Sequence, residues 1–239
     1  MYLSDVVPTA WQAVEYAGIP SGGSVAVFGL GPIGQMCCRI AQHRGAAKVI
    51  GIDLVPERLT LAARYGATTL DVRQYRDISA AVRELTDGRG ADSVIDAVGM
   101  EAHGAPVGKM AQQVASLLPP SLAAKVTEKA GLDRLSVLHE AIRTVRRGGT
   151  ISLSGVYGGM IDPMPMMEMF DKQIQLRMGQ ANVRRWIDDV LPLVQQESDP
   201  LGVENLATHH LPLDQAPEAY RMFQHKSDGA VKVLLQPAA

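Results

Sequence analysis

An α/β fold built on a doubly wound parallel sheet (a Rossmann fold) is predicted by three observations. Short apolar runs alternate with stretches of helical periodicity along most of the chain. A glycine-rich turn, Gly29-Leu30-Gly31-Pro32-Ile33-Gly34, joins the first run to a helical stretch. The second run, Val49-Ile50-Gly51-Ile52, ends in the carboxylate Asp53, about 20 residues after the turn.

The elements follow in order. Thr9-Ala10-Trp11-Gln12 has the spacing of a capping box, with Thr9 as N-cap and Gln12 reaching back, so a helix is expected to about Ala17. Ser21-Gly22-Gly23 reads as a turn into the strand Ser24–Phe28. After the glycines, Met36, Ile40 and Ala41 recur at helical spacing up to Arg44. Past Asp53, Pro56 suits a first helical turn, and that helix runs to Tyr65 and stops at Gly66. A weak strand, Thr68–Val72, precedes a helix over Ile78–Leu85, which Asp87-Gly88-Arg89-Gly90 ends. Ser93–Val98 is a further buried strand closed by Gly99. Leu138, Ala141, Ile142 and Val145 share one face of a helix over Leu135–Arg146. Gly148-Gly149 is expected to end it, before the strand Thr150–Ser154.

Two stretches interrupt this alternation. Residues 100–133 are too long for a simple connection and read as an inserted helical excursion. Met160–Phe170 holds five of the chain's eleven methionines. It suits a pliable pocket wall, a subunit contact or a loop packed on its own domain. Gln173–Met178 then reads as an edge strand, a template for pairing with a second copy. In the tail, helices are expected at Val183–Gln196 and Pro217–Phe223, and strands at Leu206–Leu213 and Ala230–Leu235.

The turn specifies its own chemistry. Gly29 permits the tight exit from the strand. Gly31 lets a pyrophosphate approach the backbone, and Gly34 lets the helix pack on the sheet. The helix start at Pro32 and Ile33 presents unpaired N–H groups to phosphate. Asp53 is placed to accept hydrogen bonds from the adenosine ribose hydroxyls. Leu54 brings no charge for a 2′-phosphate, so NAD is expected over NADP, although Arg58 stands close by. The alternative is a bare βα turn with Asp53 capping a loop. Gly29, Asp53, Val98-Gly99 and Ser154-Gly155 all fall at strand carboxyl ends, where such sheets bind ligands.

Composition narrows the rest. The 239 residues are 46% hydrophobic and 20% charged, with a formal net charge of −2. That charge gives no footprint for nucleic acid, and no run has the length and apolarity of a membrane span. The start has neither the charged nor the apolar part of a signal peptide, so a cytoplasmic location is expected. Cys37 and Cys38 are adjacent on one helix, which suits small buried residues rather than a disulfide or chelate.

Taken together, these motifs resemble the zinc-dependent medium-chain alcohol dehydrogenases, and within them the formaldehyde-dehydrogenase-like branch. The matching text is Asp5–Thr9, Ser24–Gly34, Val49–Arg58, Gly88–Asp92, Gly148–Gly158, Thr208–Leu213, Ala216–Tyr220 and Val231–Val233, spread over nearly the whole chain. The resemblance implies hydride transfer between a small alcohol or aldehyde and the nicotinamide of NAD. It makes Asp5 a ligand of the catalytic zinc and sets Thr9 beside the nicotinamide ring. It puts Gly155 and Val156 against the carboxamide, and Lys232 within reach of the pyrophosphate. It also implies a homodimer or homotetramer formed through the edge of the cofactor sheet.

Family members begin with a domain that supplies the other zinc ligands, through a cysteine, a Gly-His-Glu segment and a four-cysteine lobe. None of these motifs occurs in this sequence. The expected organisation is a connecting segment over 1–20, a cofactor domain over 21–181, and over 182–239 a segment that in the family returns to the catalytic domain. His209 and His210 lie on that returning strand and are not expected to replace the zinc ligands. The alternatives to a dehydrogenase part inactive alone are a non-catalytic dinucleotide-binding module and a zinc-free quinone-reductase-like enzyme.

Overall fold

In the computed structural model, residues 2–98, 135–157 and 164–237 are described. The expected excursion over 100–133, Gly99 and the start of the methionine-rich stretch lie outside them. Six strands form one parallel sheet: β1 (Ser24–Phe28), β2 (Lys48–Asp53), β3 (Thr68–Asp71), β4 (Ala91–Asp96), β5 (Val145–Leu153) and β6 (Gln175–Met178). Their order is β3-β2-β1-β4-β5-β6, so chain direction across the sheet reverses between β1 and β4. This is the doubly wound topology expected from the alternating runs.

Helices α1 (Val6–Ala17), α2 (Pro32–His43), α3 (Pro56–Arg64), α4 (Ile78–Leu85), α5 (Ser136–Thr144), α6 (Met166–Lys172), α7 (Val183–Val194) and α8 (Ala216–His225) complete the described elements, with a small parallel pair of β7 (His209–Pro212) and β8 (Val233–Gln236). Two apolar clusters divide the interior. In one, Val7, Ala10 and Val14 of α1 and Cys37 and Ile40 of α2 pack with Trp186, Val190, Leu201 and Leu206. In the other, Phe28, Ile50 and Ile151 of the sheet pack with Val82 of α4 and Leu138 and Ile142 of α5. Both thiols are free and fully enclosed, as a structural role requires. Residues 183–206 thus share a core with the helices that flank the glycine turn.

Two local expectations are corrected. Thr9 is not an N-cap: α1 begins at Val6 with Asp5 at the cap position. Gln12 does not reach back. Its Nε2 donates to the Gly179 and Gln180 carbonyls, and its Oε1 accepts from Asn182 N–H and Trp186 Nε1. A long-range tether to the β6–α7 connection has displaced the local cap. The helix before β5 also stops short of the expected Arg146, and Gly148-Gly149 do not end it. It ends at Thr144 and β5 starts at Val145, with a register shift against β4 between Ala91 and Ser93. Gly149 sits in that irregularity because any Cβ there would lie 2.5 Å from Val145 Cγ2 and 2.8 Å from Asp92 O.

The expected edge strand is β6, the outermost strand of the sheet. Beside it α6 turns Met169 into the core and leaves Met166, Met167 and Phe170 exposed, Phe170 at 81%.

Candidate functional site

The exits of β1, β2, β4 and β5 lie side by side at one edge of the sheet. Gly29 N–H donates to Ile52 O, Ala97 N–H to Phe28 O, and both Ser154 and Gly155 N–H to Asp96 O. These bonds bring the ends of β1, β2, β4 and β5 together at the switch point, where open α/β sheets take ligands.

Gly29 and Gly34 meet the packing constraints expected of them. Gly29 has φ +84°, and a Cβ on it would meet Val98 Cγ2 at 2.5 Å. At Gly34 a Cβ would stand 1.8 Å from Gly29 O, so only glycine lets α2 approach the β1 exit. Gly31 differs: within 4 Å of its absent Cβ stands a single atom, Arg58 Nη1 at 3.9 Å. The space above Gly31 is open, and α2 starts there with Gly31 as N-cap and Pro32 in the first turn. Gln35 N–H closes the first helical bond, to Gly31 O, so Ile33 and Gly34 N–H fall among the unpaired donors of the helix start. An open, carbon-free approach to such donors fits a pyrophosphate.

Asp53 is 8% exposed and heavily engaged. Its Oδ2 accepts from Leu30 N–H at 2.6 Å, and its Oδ1 from Leu54 N–H at 2.6 Å and Val55 N–H at 2.9 Å. It therefore shapes both the glycine turn and the entrance to α3, which is the loop-capping alternative made real. An ionised carboxylate offers about four acceptor positions, so one further hydroxyl can still be held. Arg58 Nη1 lies 3.9 Å from Asp53 Oδ2. The buried Arg58 Nε has no protein partner among the described residues. Gln35, wholly buried, donates to Leu30 O and Arg58 O and locks the turn to α3.

The remaining site residues divide in two. Val98 and Gly155 are half-buried at the β4 and β5 exits, with Val156 exposed after them. Asp5 and Thr9 are brought together, since Thr9 Oγ1 donates to Asp5 Oδ1 at 2.7 Å. Lys232 lies before β8, where its backbone carbonyl accepts from Thr208 N–H. Its neighbour Val231 helps line a groove of about 400 Å³ against Glu57, Thr60 and Arg64 of α3. Among the described residues no three His, Cys, Asp or Glu side chains are grouped to hold a metal ion. One carboxylate does not make a zinc site, which normally takes three protein ligands.

Three contributors escape sequence reasoning: Gln12, Gln35 and Asp96. Asp96 carries the one available signal, an acid closing an apolar run as Asp53 does. It is 0% exposed and accepts from Val98 N–H and from the Tyr157 hydroxyl. Burial, then the Asp96 charge and hydrogen bond, push the Tyr157 phenol well above its ordinary pKa, so it remains a donor.

Sheet order and the packing at Gly29 and Gly34 define a Rossmann-type fold. Comparison with known proteins places it among relatives. Residues 32–118 match the family described as zinc-binding dehydrogenase. An uncharacterized zinc-type alcohol dehydrogenase-like protein of Bacillus subtilis is 33% identical over 98% of this chain and 58% of its own length. Formaldehyde dismutase of Pseudomonas putida is 29% identical over 94% of the chain and 54% of its own length. The solved alcohol dehydrogenase TADH from Thermus sp. ATN1 superposes with a TM-score of 0.79 at 33% identity, over 99% of this chain and 59% of that one. The chain belongs to the zinc-type alcohol dehydrogenase family and spans about half the length of the curated relatives it matches.

Proposed function

We propose that this chain is the NAD-binding part of an oxidoreductase that moves hydride between a small alcohol or aldehyde and nicotinamide. The open approach to Gly31 over the start of α2, with Asp53 closing β2, is the observation that carries this reading. In it, the α2 amides and Lys232 hold the pyrophosphate. Asp53 accepts one ribose hydroxyl and disfavours a 2′-phosphate, while Arg58 flanks the adenosine half. Val98, Gly155 and Val156 wall the nicotinamide half. Thr9 faces the reacting end. Bound NAD supplies the hydride acceptor; the chain's own residues orient it and keep its phosphates paired.

Zinc belongs to the family's chemistry, and the donors grouped here do not suffice to hold it. We assign Asp5 as one ligand, oriented by Thr9, with the others supplied by a catalytic domain outside the residues given. In this reading 1–20 connects the domains, 21–181 binds cofactor and 182–239 returns to the catalytic domain. The reading includes a cytoplasmic setting and a homodimer or homotetramer. Supplying the catalytic domain should restore zinc uptake and alcohol-dependent NADH formation, and Asp5→Ala should lower the zinc bound per chain. Unchanged zinc content in that variant would remove the ligand assignment.

A further inference from the structure

Asp96 does more than close a strand. Its backbone carbonyl accepts from Ser154 and Gly155 N–H at 2.9 and 2.8 Å, which draws the exit of β5 over the end of β4. Its Oδ1 accepts from Val98 N–H at 2.9 Å, and its Oδ2 from the Tyr157 hydroxyl. One enclosed residue thus fixes two loops, one carrying Val98 and the other carrying Gly155 and Val156. Val98 in turn presses its Cγ2 on the Gly29 position, where any Cβ would sit 2.5 Å away. Tyr157 closes the arrangement from the far side. It packs against the core cluster that holds Phe28 and Leu153 and hands its hydroxyl back to the strand before its own.

We propose that Tyr157, acting through Asp96, is a positioning residue that joins the exits of β4 and β5 into one rigid wall for the nicotinamide half of the dinucleotide. The inference rests on the NAD-binding reading above. Its location follows from the topology: Asp53 and Gly31 serve the adenosine and pyrophosphate from the β2 and β1 exits, so the other half of the ligand crosses to the β4 and β5 exits. Losing the phenol hydroxyl leaves Asp96 Oδ2 without that donor and removes the side-chain tie from the Tyr157 loop to the β4 exit, while the Ser154 and Gly155 backbone bonds to Asp96 O remain. The Asp53 and Gly31 side keeps all its bonds.

The test compares two ligands on the whole chain. NAD carries nicotinamide, and ADP-ribose lacks it while keeping adenosine and pyrophosphate. Calorimetric titration of Tyr157→Phe should show NAD weakened about tenfold, the effect of one net hydrogen bond to a charged group. ADP-ribose should stay within about twofold of the unsubstituted chain, inside the scatter of one weak contact. Asp96→Asn, which alters the same bonds from the other partner, should reproduce that ratio. A general loss of stability would weaken both ligands together, and that result overturns the positioning role. Unchanged binding of both ligands overturns it too. If the unsubstituted chain binds neither NAD nor ADP-ribose, the NAD reading itself fails and the inference goes with it. Binding of ADP-ribose with an unaltered ratio sinks the inference alone.

Discussion

Gly31 and Gly34 are three positions apart and have opposite sensitivities. Alanine at Gly34 puts a carbon 1.8 Å from Gly29 O, a backbone atom that cannot step aside. Gly34→Ala should cost several kcal/mol, about 3 or more, as overpacking against a fixed backbone does; denaturant unfolding will show it, and a loss below about 1 kcal/mol would contradict the packing role. Gly31→Ala meets only Arg58 Nη1 at 3.9 Å and should leave stability within about 0.5 kcal/mol while weakening any phosphate ligand. The thiols give a second residue-scale test. Burial pushes Cys38 up to about 12, and burial with the neighbouring Cys38 raises Cys37 well above its usual value. Neither should react with a thiol reagent in the native chain at pH 8, and both should react on unfolding. Because the folded pKa is the higher one, the protonated thiol supports the fold below about pH 9. That support is lost as pH rises from about 9 toward 12.

At the element scale, polar side chains hold the sheet's neighbours in place. Gln12 makes four hydrogen bonds from α1 to the segment entering α7. Gln12→Leu leaves Trp186 Nε1 and Asn182 N–H unpaired, and should lower stability by about 2–4 kcal/mol in urea unfolding. At the opposite end, Asp92 accepts from Ser24 N–H, Ser24 Oγ and Arg146 Nε, tying β1, β4 and β5. Burial raises its carboxyl, but the Ser24 and Arg146 bonds outweigh that and hold it below the usual carboxylate range. The contribution is therefore present above about pH 4 and lost as pH falls through the depressed value. Asp92→Asn should flatten acid unfolding in that window, and an unchanged acid limb would contradict the assignment.

Legibility follows the same scale. Strands β1, β2 and β4 were readable because buried parallel strands are continuous apolar runs ended by glycine or acid. The start of β5 was not, because Val145–Gly149 carries helix-ending glycines while its pairing with β4 is decided across the sheet. The glycine turn was readable since its roles depend on neighbours within the same βα unit. The roles of Gln12, Gln35 and Asp96 were hidden because each has a partner on another element, so the local pattern at Gln12 and the acid closing an apolar run at Asp96 did not disclose them.

At the scale of the whole molecule, exposed surface bears on assembly. β6 forms one margin of the sheet, and Met166, Met167 and Phe170 of the preceding helix α6 are exposed. A homodimer through that margin is expected in light scattering, and Phe170→Lys should shift it toward monomer. An unsubstituted chain that is already monomeric at micromolar concentration would contradict this. No helix among the described residues is long and apolar enough to cross a membrane. The tail adds to the fold through Trp186, Val190, Leu201 and Leu206. A truncation at 182 should therefore expose the α1–α2 core and promote aggregation.

The most direct test is calorimetric titration of NAD and NADP into the chain, with Gly31→Val alongside as a folded control. The account expects clear NAD binding, NADP at least about tenfold weaker through the Asp53 carboxylate, and loss of both on Gly31→Val while that variant still folds. Equal NAD affinity in the Gly31→Val variant, or no binding by a folded chain, would contradict the claim that this crevice holds a dinucleotide.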